Sequence, residues 1–325
     1  MNPAFSVIFL TTLIGAGQGL FLALYTAQSY AAVSLLPAQD KSFYVNGSLI
    51  AAVLLFGGLI ASFFHLGHPE RAWRSAARWR SSWLSREVIV LPAVMIGILA
   101  YGLVWQLGWD FALLGFYSGV PNDLALLIGL GTTLLTFLLF LCTGMIYACI
   151  KFLQEWASPL TVINYLLLGT ASGFTLATAY SAYAAPALVH FYAVWAIIIT
   201  LAAFVMRVSA LLRNARIKHK STLQTAIGVR HVRIVQKAQG QMGGSFNTRD
   251  FFHHASAAAF RSVKWLFLIL VFAVPVALLW TGLSDTARSL LTGAFITQYL
   301  GLLLERWFFF AQANHPQNLY YQTIS

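Results

Sequence analysis

Long apolar stretches separated by short polar segments recur along the whole chain. Each stretch contains about 20 residues or more, the length that an α-helix needs to cross the hydrocarbon layer of a membrane. The pattern therefore predicts an all-α integral membrane protein, a single-domain bundle of eight transmembrane helices. Divided at charged residues, prolines and polar clusters, the predicted spans are residues 4–36, 46–66, 87–107, 124–150, 161–184, 186–212, 263–283 and 288–311.

The composition supports this prediction. Of 325 residues, 59% are hydrophobic and only 9% are charged, whereas about 25% of the residues in a soluble domain are charged. So few charged side chains cannot cover a water-exposed surface, which excludes a soluble globular protein. The apolar stretches are continuous rather than alternating, which also argues against an outer-membrane β-barrel.

Basic residues lie almost entirely on one side of the predicted bundle. Of the 20 Lys and Arg residues, all except Lys41 and Arg288 fall in or near the connections 67–86, 151–160 and 213–262 or near the end of the last span. Basic residues accumulate on the cytoplasmic side of membrane proteins. We therefore predict a multi-pass protein of the bacterial inner membrane, with its basic loops and both termini in the cytoplasm. This side is expected to attract membrane lipid, and no nucleic acid partner is expected because no recognition fold has room.

Two of these connections are unusual. Residues 67–86 form an amphipathic segment in which tryptophans alternate with arginines, as in a segment lying at the level of the lipid headgroups. Residues 213–262 carry nine basic side chains against one acid, Asp250, and a loop of this length is uncommon unless it is functional or disordered. Because this basic loop keeps apolar residues and a glycine-rich turn within 240–244, we expect it to be ordered and to dock a soluble partner.

No haem or metal is expected in this chain. Its two cysteines are too few for an iron–sulfur cluster or a four-ligand metal site. A haem held by two histidines needs them at matching depth, whereas His65 and His190 belong to opposite sides of the predicted bundle. The pair His253 and His254 lacks neighbouring carboxylates, so we expect it on the surface of the loop and not in a metal site.

His65 and Glu87 are the candidate functional residues. They lie at the end of the second predicted span and the start of the third, at one membrane face, so they can converge at a similar depth. An ionisable residue in such a position is costly and is a functional candidate by default. A histidine together with a carboxylate suits proton-coupled chemistry. The alternative, a helix-capping glutamate and an interfacial histidine, stays open for each residue.

The segment from His65 to Glu87 also resembles a known signature. It begins with His-Leu-Gly-His-Pro-Glu-Arg-Ala, continues through a basic stretch and ends with Ser-Arg-Glu. Together with Gly17-Gln18 in the first span and Leu303-Leu304-Glu305-Arg306 in the last, it is similar to the membrane anchor of dimethyl sulfoxide reductase-type molybdoenzyme complexes. The resemblance covers most of the chain, and the segment that begins at His65 is its most specific part.

What the resemblance implies is a role in electron transfer. Anchors of this family exchange electrons between quinone and a ferredoxin-like iron–sulfur subunit, which is coupled to a molybdopterin catalytic subunit. The anchor is therefore not expected to act on the substrate by itself, and it holds no haem. The quinone-site histidine and glutamate of the family correspond to His65 and Glu87, and Arg71 or Arg86 could orient the quinone headgroup or pair with Glu87. Ubiquinone and menaquinone both stay open.

The branch of the family is indicated by the long loop and by the charge distribution. Residues 213–262 and the segment from His65 to Glu87 together resemble the anchor of the cytoplasmically oriented sulfite:quinone oxidoreductase, and the charge distribution independently supports this orientation. This resemblance implies oxidation of sulfite by a cytoplasmic molybdenum subunit, with the electrons passed to quinone through this chain.

Three alternatives stay open. The anchor of a dimethyl sulfoxide or related reductase, which oxidises quinol, shares the family resemblance. A solute transporter fits the composition, although Glu70 and Glu155 are predicted in connections and not at the midpoints of spans, where an ion path would need them. A passive anchor without a quinone site would differ only at His65 and Glu87.

Overall fold

The computed structural model describes residues 1–109, 123–238, 250–285 and 287–321 of the chain. Regular structure in these ranges is helical, which confirms the predicted all-α fold. The helices are α1 Phe5–Ala32, α2 Lys41–Phe63, α3 Trp83–Leu107, α4 Asp123–Ala148, α5 Pro159–Ala184, α6 Val189–Ala215, α7 Leu223–Ile227, α8 Ala257–Leu268, α9 Val274–Asp285 and α10 Arg288–Ala311.

Within the described residues, seven helical segments are long and apolar enough to cross a membrane. Six contain α1 to α6, and the seventh, Ala257–Leu283, joins α8 to α9 through one π-helical turn, Ile269–Ala273. They correspond to the first seven predicted spans and confirm a multi-pass membrane protein. Helix α10 coincides with the last predicted segment but contains three charged residues. An eighth span therefore stays a prediction.

Helices α1 and α5 lie at the centre of the bundle and are its most buried spans. Their backbones touch where Gly19 faces Gly173, because a Cβ atom on Gly173 would lie 2.0 Å from the carbonyl carbon of Gly19. Membrane helices approach this closely only where small residues meet, since a side chain would push them apart. The glycine cluster of the first span thus marks a close helix contact.

Helix α10 packs against the backbone of the π-helical turn Ile269–Ala273. A Cβ atom on Gly301 of α10 would lie 2.8 Å from the carbonyl carbon of Leu270. A π turn interrupts the regular helical hydrogen bonding and leaves carbonyls in need of partners. Gln298 Nε2 donates to the Val271 carbonyl at 3.2 Å and to Thr200 Oγ1 of α6 at 3.1 Å. This one amide therefore ties α6, the π turn and α10 together.

The first residues of the chain, residues 312–321 and three connections lie at one end of the bundle. The Asn2 amide donates to the Asp250 carbonyl at 2.9 Å, and the Arg213 guanidinium donates to the Gln154 carbonyl at 3.0 Å. The N-terminal segment, the connection before α5, the end of α6 and the start of α8 therefore meet at one end. We call this end the basic face, formed by residues 1–4, 64–82, 149–158, 216–238, 250–256 and 312–321.

Both unusual connections contain helical turns that the sequence did not predict. Pro69–Arg78 is a 3₁₀ helix, on which Trp73 is 72% exposed. In the basic loop, α7 is a single turn, held by a hydrogen bond of 2.6 Å from the Tyr320 hydroxyl to the Ala226 carbonyl. The glycine-rich turn predicted within 240–244 lies outside the described residues.

Candidate functional site

Glu87 lies one turn inside α3, and not at its first residue as predicted. The helix begins four residues earlier because the Ser82 side chain caps it, accepting a hydrogen bond from the Ser85 amide at 3.3 Å. A serine in this position satisfies one of the free amides at a helix N-terminus. Correspondingly, α2 ends at Phe63, so that His65 lies beyond the helix and not within it. The two candidate residues thus differ in depth more than the sequence predicted.

The Glu87 carboxylate points between helices. Its Oε1 accepts a hydrogen bond from the Thr143 hydroxyl of α4, and the side chain as a whole is half-buried. It borders a cavity of about 30 Å³, which is room for one or two water molecules. Glu87 therefore has a buried side toward this cavity and retains some accessible surface.

The cavity beside Glu87, which we call the inner cavity, lies where five helices meet. Gln18 from α1 and Arg306 from α10 contribute to its polar lining, together with five hydroxyl side chains, those of Thr11, Thr12, Thr143, Tyr165 and Ser172. Gln18 is fixed by a hydrogen bond of 3.2 Å from its Nε2 atom to the Thr136 carbonyl. An amide, five hydroxyls, a carboxyl group and a guanidinium therefore converge on a space that can hold water.

A buried ion triad stands behind the inner cavity. Glu305 bridges two arginines: its Oε1 lies 2.7 Å from Arg207 Nε of α6, and its Oε2 lies 2.5 Å from Arg306 Nε. The three side chains are 0%, 2% and 4% exposed respectively. The Arg306 guanidinium also lies over the Tyr165 ring, with Cζ 4.2 Å from the ring centroid. The triad carries one excess positive charge, and the Glu87 carboxyl group lines the same inner cavity as Arg306.

His65 lies on the basic face, exposed, just past the end of α2. Partial burial of the imidazole lowers its pKa below the ordinary value of 6.5. The ring is therefore neutral at pH 7, with one nitrogen able to donate a hydrogen bond and the other to accept one. His65 is not among the side chains that line the inner cavity.

Arg71 and Arg86, which the resemblance suggested as quinone contacts, bind other groups in the described structure. Arg86 donates from Nε to the Trp79 carbonyl and from Nη2 to the Arg80 carbonyl, both at 2.9 Å, and thereby closes the 67–86 connection onto α3. Arg71 is exposed, with its Nε 3.5 Å from Glu70 Oε1. Neither arginine lines the inner cavity.

Among the residues that the structure describes, no group of three or more His, Cys, Asp and Glu side chains is placed to hold a metal ion. His253 stacks on Phe260 with ring centroids 5.3 Å apart, and its imidazole accepts a hydrogen bond from the Ala255 amide. His253 is thus engaged in packing at the junction of the basic loop and α8.

Most of the polar groups around the inner cavity were not predicted as site residues. Gln18 and the pair Glu305–Arg306 entered the sequence interpretation as parts of the family resemblance, and Thr143 and Tyr165 did not enter it. Arg207 and Arg306 were counted as basic residues of the cytoplasmic side. A strongly polar side chain inside an apolar span is the signal that could have identified them.

The family of this chain follows from a match over almost its whole length. The family model described as "DMSO reductase anchor subunit (DmsC)" matches residues 1–312. The protein therefore belongs to the family of membrane anchor subunits of dimethyl sulfoxide reductase-type molybdoenzyme complexes. This confirms the resemblance that the segment from His65 to Glu87 indicated.

A curated relative is similar over both complete chains. This relative, a sulfite dehydrogenase subunit of Allochromatium vinosum, is 57% identical over 325 residues, which are 100% of this chain and 100% of the relative. No solved structure matches the chain. The similarity to a sulfite dehydrogenase subunit agrees with the branch of the family that the sequence indicated.

Proposed function

We propose that this protein is the membrane anchor and quinone-reactive subunit of a sulfite-oxidising molybdoenzyme complex of the bacterial inner membrane. The observation that carries the proposal is the 57% identity to a sulfite dehydrogenase subunit over the whole of both chains. Electrons from sulfite pass from a molybdopterin subunit to a ferredoxin-like iron–sulfur subunit and then to a membrane quinone bound by this chain. Ubiquinone and menaquinone are both compatible with this function.

The quinone headgroup is proposed to bind on the outer side of Glu87, at the basic-face end of α2 and α3. Small-molecule sites usually enclose about 300–1,000 Å³, far more than the 30 Å³ of the inner cavity, so the ring does not enter that cavity. Glu87 retains accessible surface, which a headgroup arriving from the lipid can contact. His65 at the membrane surface supplies a hydrogen bond to one quinone carbonyl.

The reaction at this site requires both electrons and protons. Reduction of a quinone to a quinol takes up two electrons, here from the iron–sulfur subunit, and two protons, one on each carbonyl oxygen. Glu87 is the group placed to hand over a proton, because its carboxylate borders water-sized space on one side and remains accessible on the other. A positioned acid of this kind typically accelerates proton transfer by about 10²- to 10⁴-fold.

The basic face is the proposed docking surface for the iron–sulfur subunit. It includes residues 216–238 and 250–256 of the 213–262 connection, whose sequence has nine basic side chains against Asp250 as the one acid. Part of this loop packs against the C-terminal segment, since Asn318 Nδ2 donates to the Phe251 carbonyl at 3.1 Å. A surface with this charge attracts an acidic partner and accelerates its association. We propose that this face and both termini lie in the cytoplasm.

A second candidate is the anchor of a reductase that oxidises quinol. The description of the matching family, a dimethyl sulfoxide reductase anchor, favours it. The site residues are the same in both cases, because quinol oxidation releases the protons that quinone reduction takes up. The two candidates differ in the substrate of the molybdenum subunit and in the direction of electron flow.

Purification of the complex through an affinity tag on this chain tests the proposal. We expect a molybdenum-containing subunit and an iron–sulfur subunit in the mild-detergent eluate, identified by mass spectrometry and metal content. The complex should reduce a short-chain ubiquinone or menaquinone with sulfite. Reduction of dimethyl sulfoxide by quinol, without sulfite activity, would favour the second candidate. A homo-oligomer without partners or metals would contradict both and favour a transporter.

A further inference from the structure

We propose that a chain of buried polar cavities leads from the basic face to Glu87 and carries the protons for quinone reduction, with Glu155 as its entrance residue. The inference rests on the proposed function, since it supplies the protons that the quinone site consumes. It concerns residues that lie away from the quinone headgroup, in the connection before α5 and in the helices α5, α6 and α10.

The first link joins the inner cavity to a second one. Arg306 and Tyr165 line the inner cavity beside Glu87, and both also line a smaller cavity of about 10 Å³, which is room for a single water molecule. We call this the second cavity. Its lining includes Asn164 and Arg207. The same two side chains thus line both cavities and separate one from the other.

The second link joins the second cavity to the protein surface. Glu155 and Gln312 line the second cavity and also line a large crevice of about 920 Å³ on the basic face. Glu155 is only 8% exposed, and its Oε1 lies 3.7 Å from His219 Nε2 at the edge of the crevice. A carboxylate in this position can take a proton from the crevice on one side and release it to buried water on the other.

Unpartnered polar atoms mark the second cavity as a hydrated space. Five side chains that line this cavity are less than 9% exposed and have a buried polar atom without a hydrogen-bond partner in the protein. Buried polar groups in native proteins almost always have a partner, and ordered water supplies it where the protein does not. These atoms include Glu155 Oε2, Asn164 Oδ1, the Tyr165 hydroxyl oxygen, Arg207 Nη2 and Arg306 Nη1.

The arginines along the two cavities are held by partners within the protein. The guanidiniums of Arg207 and Arg306 both pair with Glu305. Arg213, the third arginine at the second cavity, donates to the carbonyls of Gln154 and Ala157. The carboxyl groups of Glu87 and Glu155 line the same two cavities. An arginine without such partners would exclude protons, as it does in water-selective pores.

The test measures quinone reduction and proton uptake by the intact complex. The complex is reduced with sulfite and mixed rapidly with a short-chain ubiquinone, while a pH indicator follows the proton uptake. In the Glu155→Gln variant, we expect quinone reduction and proton uptake to slow together by about 10- to 100-fold, the loss typical of a removed proton-transfer group. Reduction of a dye that takes electrons directly from the iron–sulfur subunit should stay unchanged.

Three further measurements separate a proton route from a structural role. Glu155→Asp should restore most of the rate. Formate, a small weak acid that can deliver protons from the crevice in place of the lost carboxyl group, should accelerate Glu155→Gln but not the wild type. Asn164→Leu, which fills the second cavity without removing a charge, should also slow proton uptake. Asp40→Asn, an exposed acid on the opposite end of the bundle, is the matched control and should behave as wild type.

The outcomes distinguish the route from the function on which it rests. If the wild-type complex reduces quinone and both Glu155→Gln and Asn164→Leu reduce it equally fast, the route is wrong and the proposed function stands. If the variants are slow with the dye as well, or formate has no effect, the side chains act in assembly and the route is again wrong. If the wild-type complex itself reduces no quinone, both the proposed function and the proton route are wrong.

Discussion

Thr143 of α4 donates a hydrogen bond to the carboxylate of Glu87 of α3, which fixes the glutamate against the inner cavity. A hydrogen bond within a protein contributes about 0.5–1.5 kcal/mol. The threonine therefore holds the carboxyl group in place while leaving its second oxygen available. Because Ser82 and not Glu87 caps α3, this arrangement supports the proposal that Glu87 is a positioned acid.

Replacement of Glu87 should abolish the quinone reaction without affecting assembly. In Glu87→Gln, we expect sulfite–quinone turnover to fall by about 100-fold, because the amide cannot exchange a proton. Dye-linked activity and the copurification of the partner subunits should remain. Thr143→Val should lower turnover by only about tenfold, since it removes one hydrogen bond and leaves the carboxylate. Full quinone activity in Glu87→Gln would show that the assignment of this residue is wrong.

The imidazole of His65 should take up its proton at a pH below the ordinary histidine pKa of 6.5. Because partial burial lowers its pKa below 6.5, the imidazole stays neutral when the pH falls to that value. In an NMR titration of the complex with isotope-labelled histidine, the signal that disappears in His65→Gln should have its midpoint below 6.5. The unfolded chain binds this proton at a higher pH than the folded chain does. His65 therefore makes the folded state less stable as the pH falls below 6.5.

The quinone reaction supplies a second measurement at His65. If the neutral imidazole donates to the quinone carbonyl, His65→Gln should retain part of the activity because its amide can donate in its place, whereas His65→Leu should lose more. Equal activity of both variants and wild type would remove His65 from the proposed site and leave it as a residue of the membrane surface.

The buried triad should be sensitive to the loss of its central acid. Glu305→Gln leaves Arg207 and Arg306 without their shared carboxylate, and breaking a buried ion pair in this way typically costs about 3–5 kcal/mol. We expect a low yield of assembled complex and a lower Tm in detergent. Arg207→Met keeps one arginine paired with Glu305 and should lose less stability. If Glu305→Gln had the same Tm as the wild type, the proposed importance of Glu305 as the shared partner of both arginines would be wrong.

Arg86 should control the order of the 67–86 connection. Its guanidinium donates to the Trp79 and Arg80 carbonyls, so Arg86→Ala should expose the connection to chymotrypsin and accelerate cleavage after Trp79 by about tenfold, the equivalent of one to two hydrogen bonds. Arg71→Ala is the control, because Arg71 is exposed and pairs only with the exposed Glu70. Equal cleavage rates in the two variants would contradict the structural role of Arg86.

The apolar pattern of the sequence predicted the spans because each one must be long and apolar, a property of a single segment. The ends were predicted less well, since the Ser82 cap begins α3 before the apolar run does. That shift places Glu87 inside α3, whereas His65 lies outside α2 because that helix ends at Phe63. The family signature drew attention to both residues, but it carries no information on their depth.

The polar interior could not be predicted in the same way. Arg207 and Glu305 lie on helices far apart in sequence, and their contact depends on how α6 packs against α10. Each residue alone is compatible with a side chain that reaches for the membrane surface. Their pairing, and the cavities that it borders, emerge only from the packed bundle. The contacts of Arg86 could not be predicted for the same reason, because its carbonyl partners come from the fold of the preceding connection.

The pairing of Arg207 with Glu305 also has a consequence for biosynthesis. Arg207 is made with α6, whereas its partner belongs to α10, the last long helix of the described chain. An arginine within a membrane helix costs about 2.5–3.5 kcal/mol on insertion scales, and this cost is not offset until the ribosome has delivered α10. A chain that lacks α10 therefore retains Arg207 in the membrane without its partner Glu305. This uncompensated charge distinguishes the incomplete chain from the finished subunit before any partner has bound.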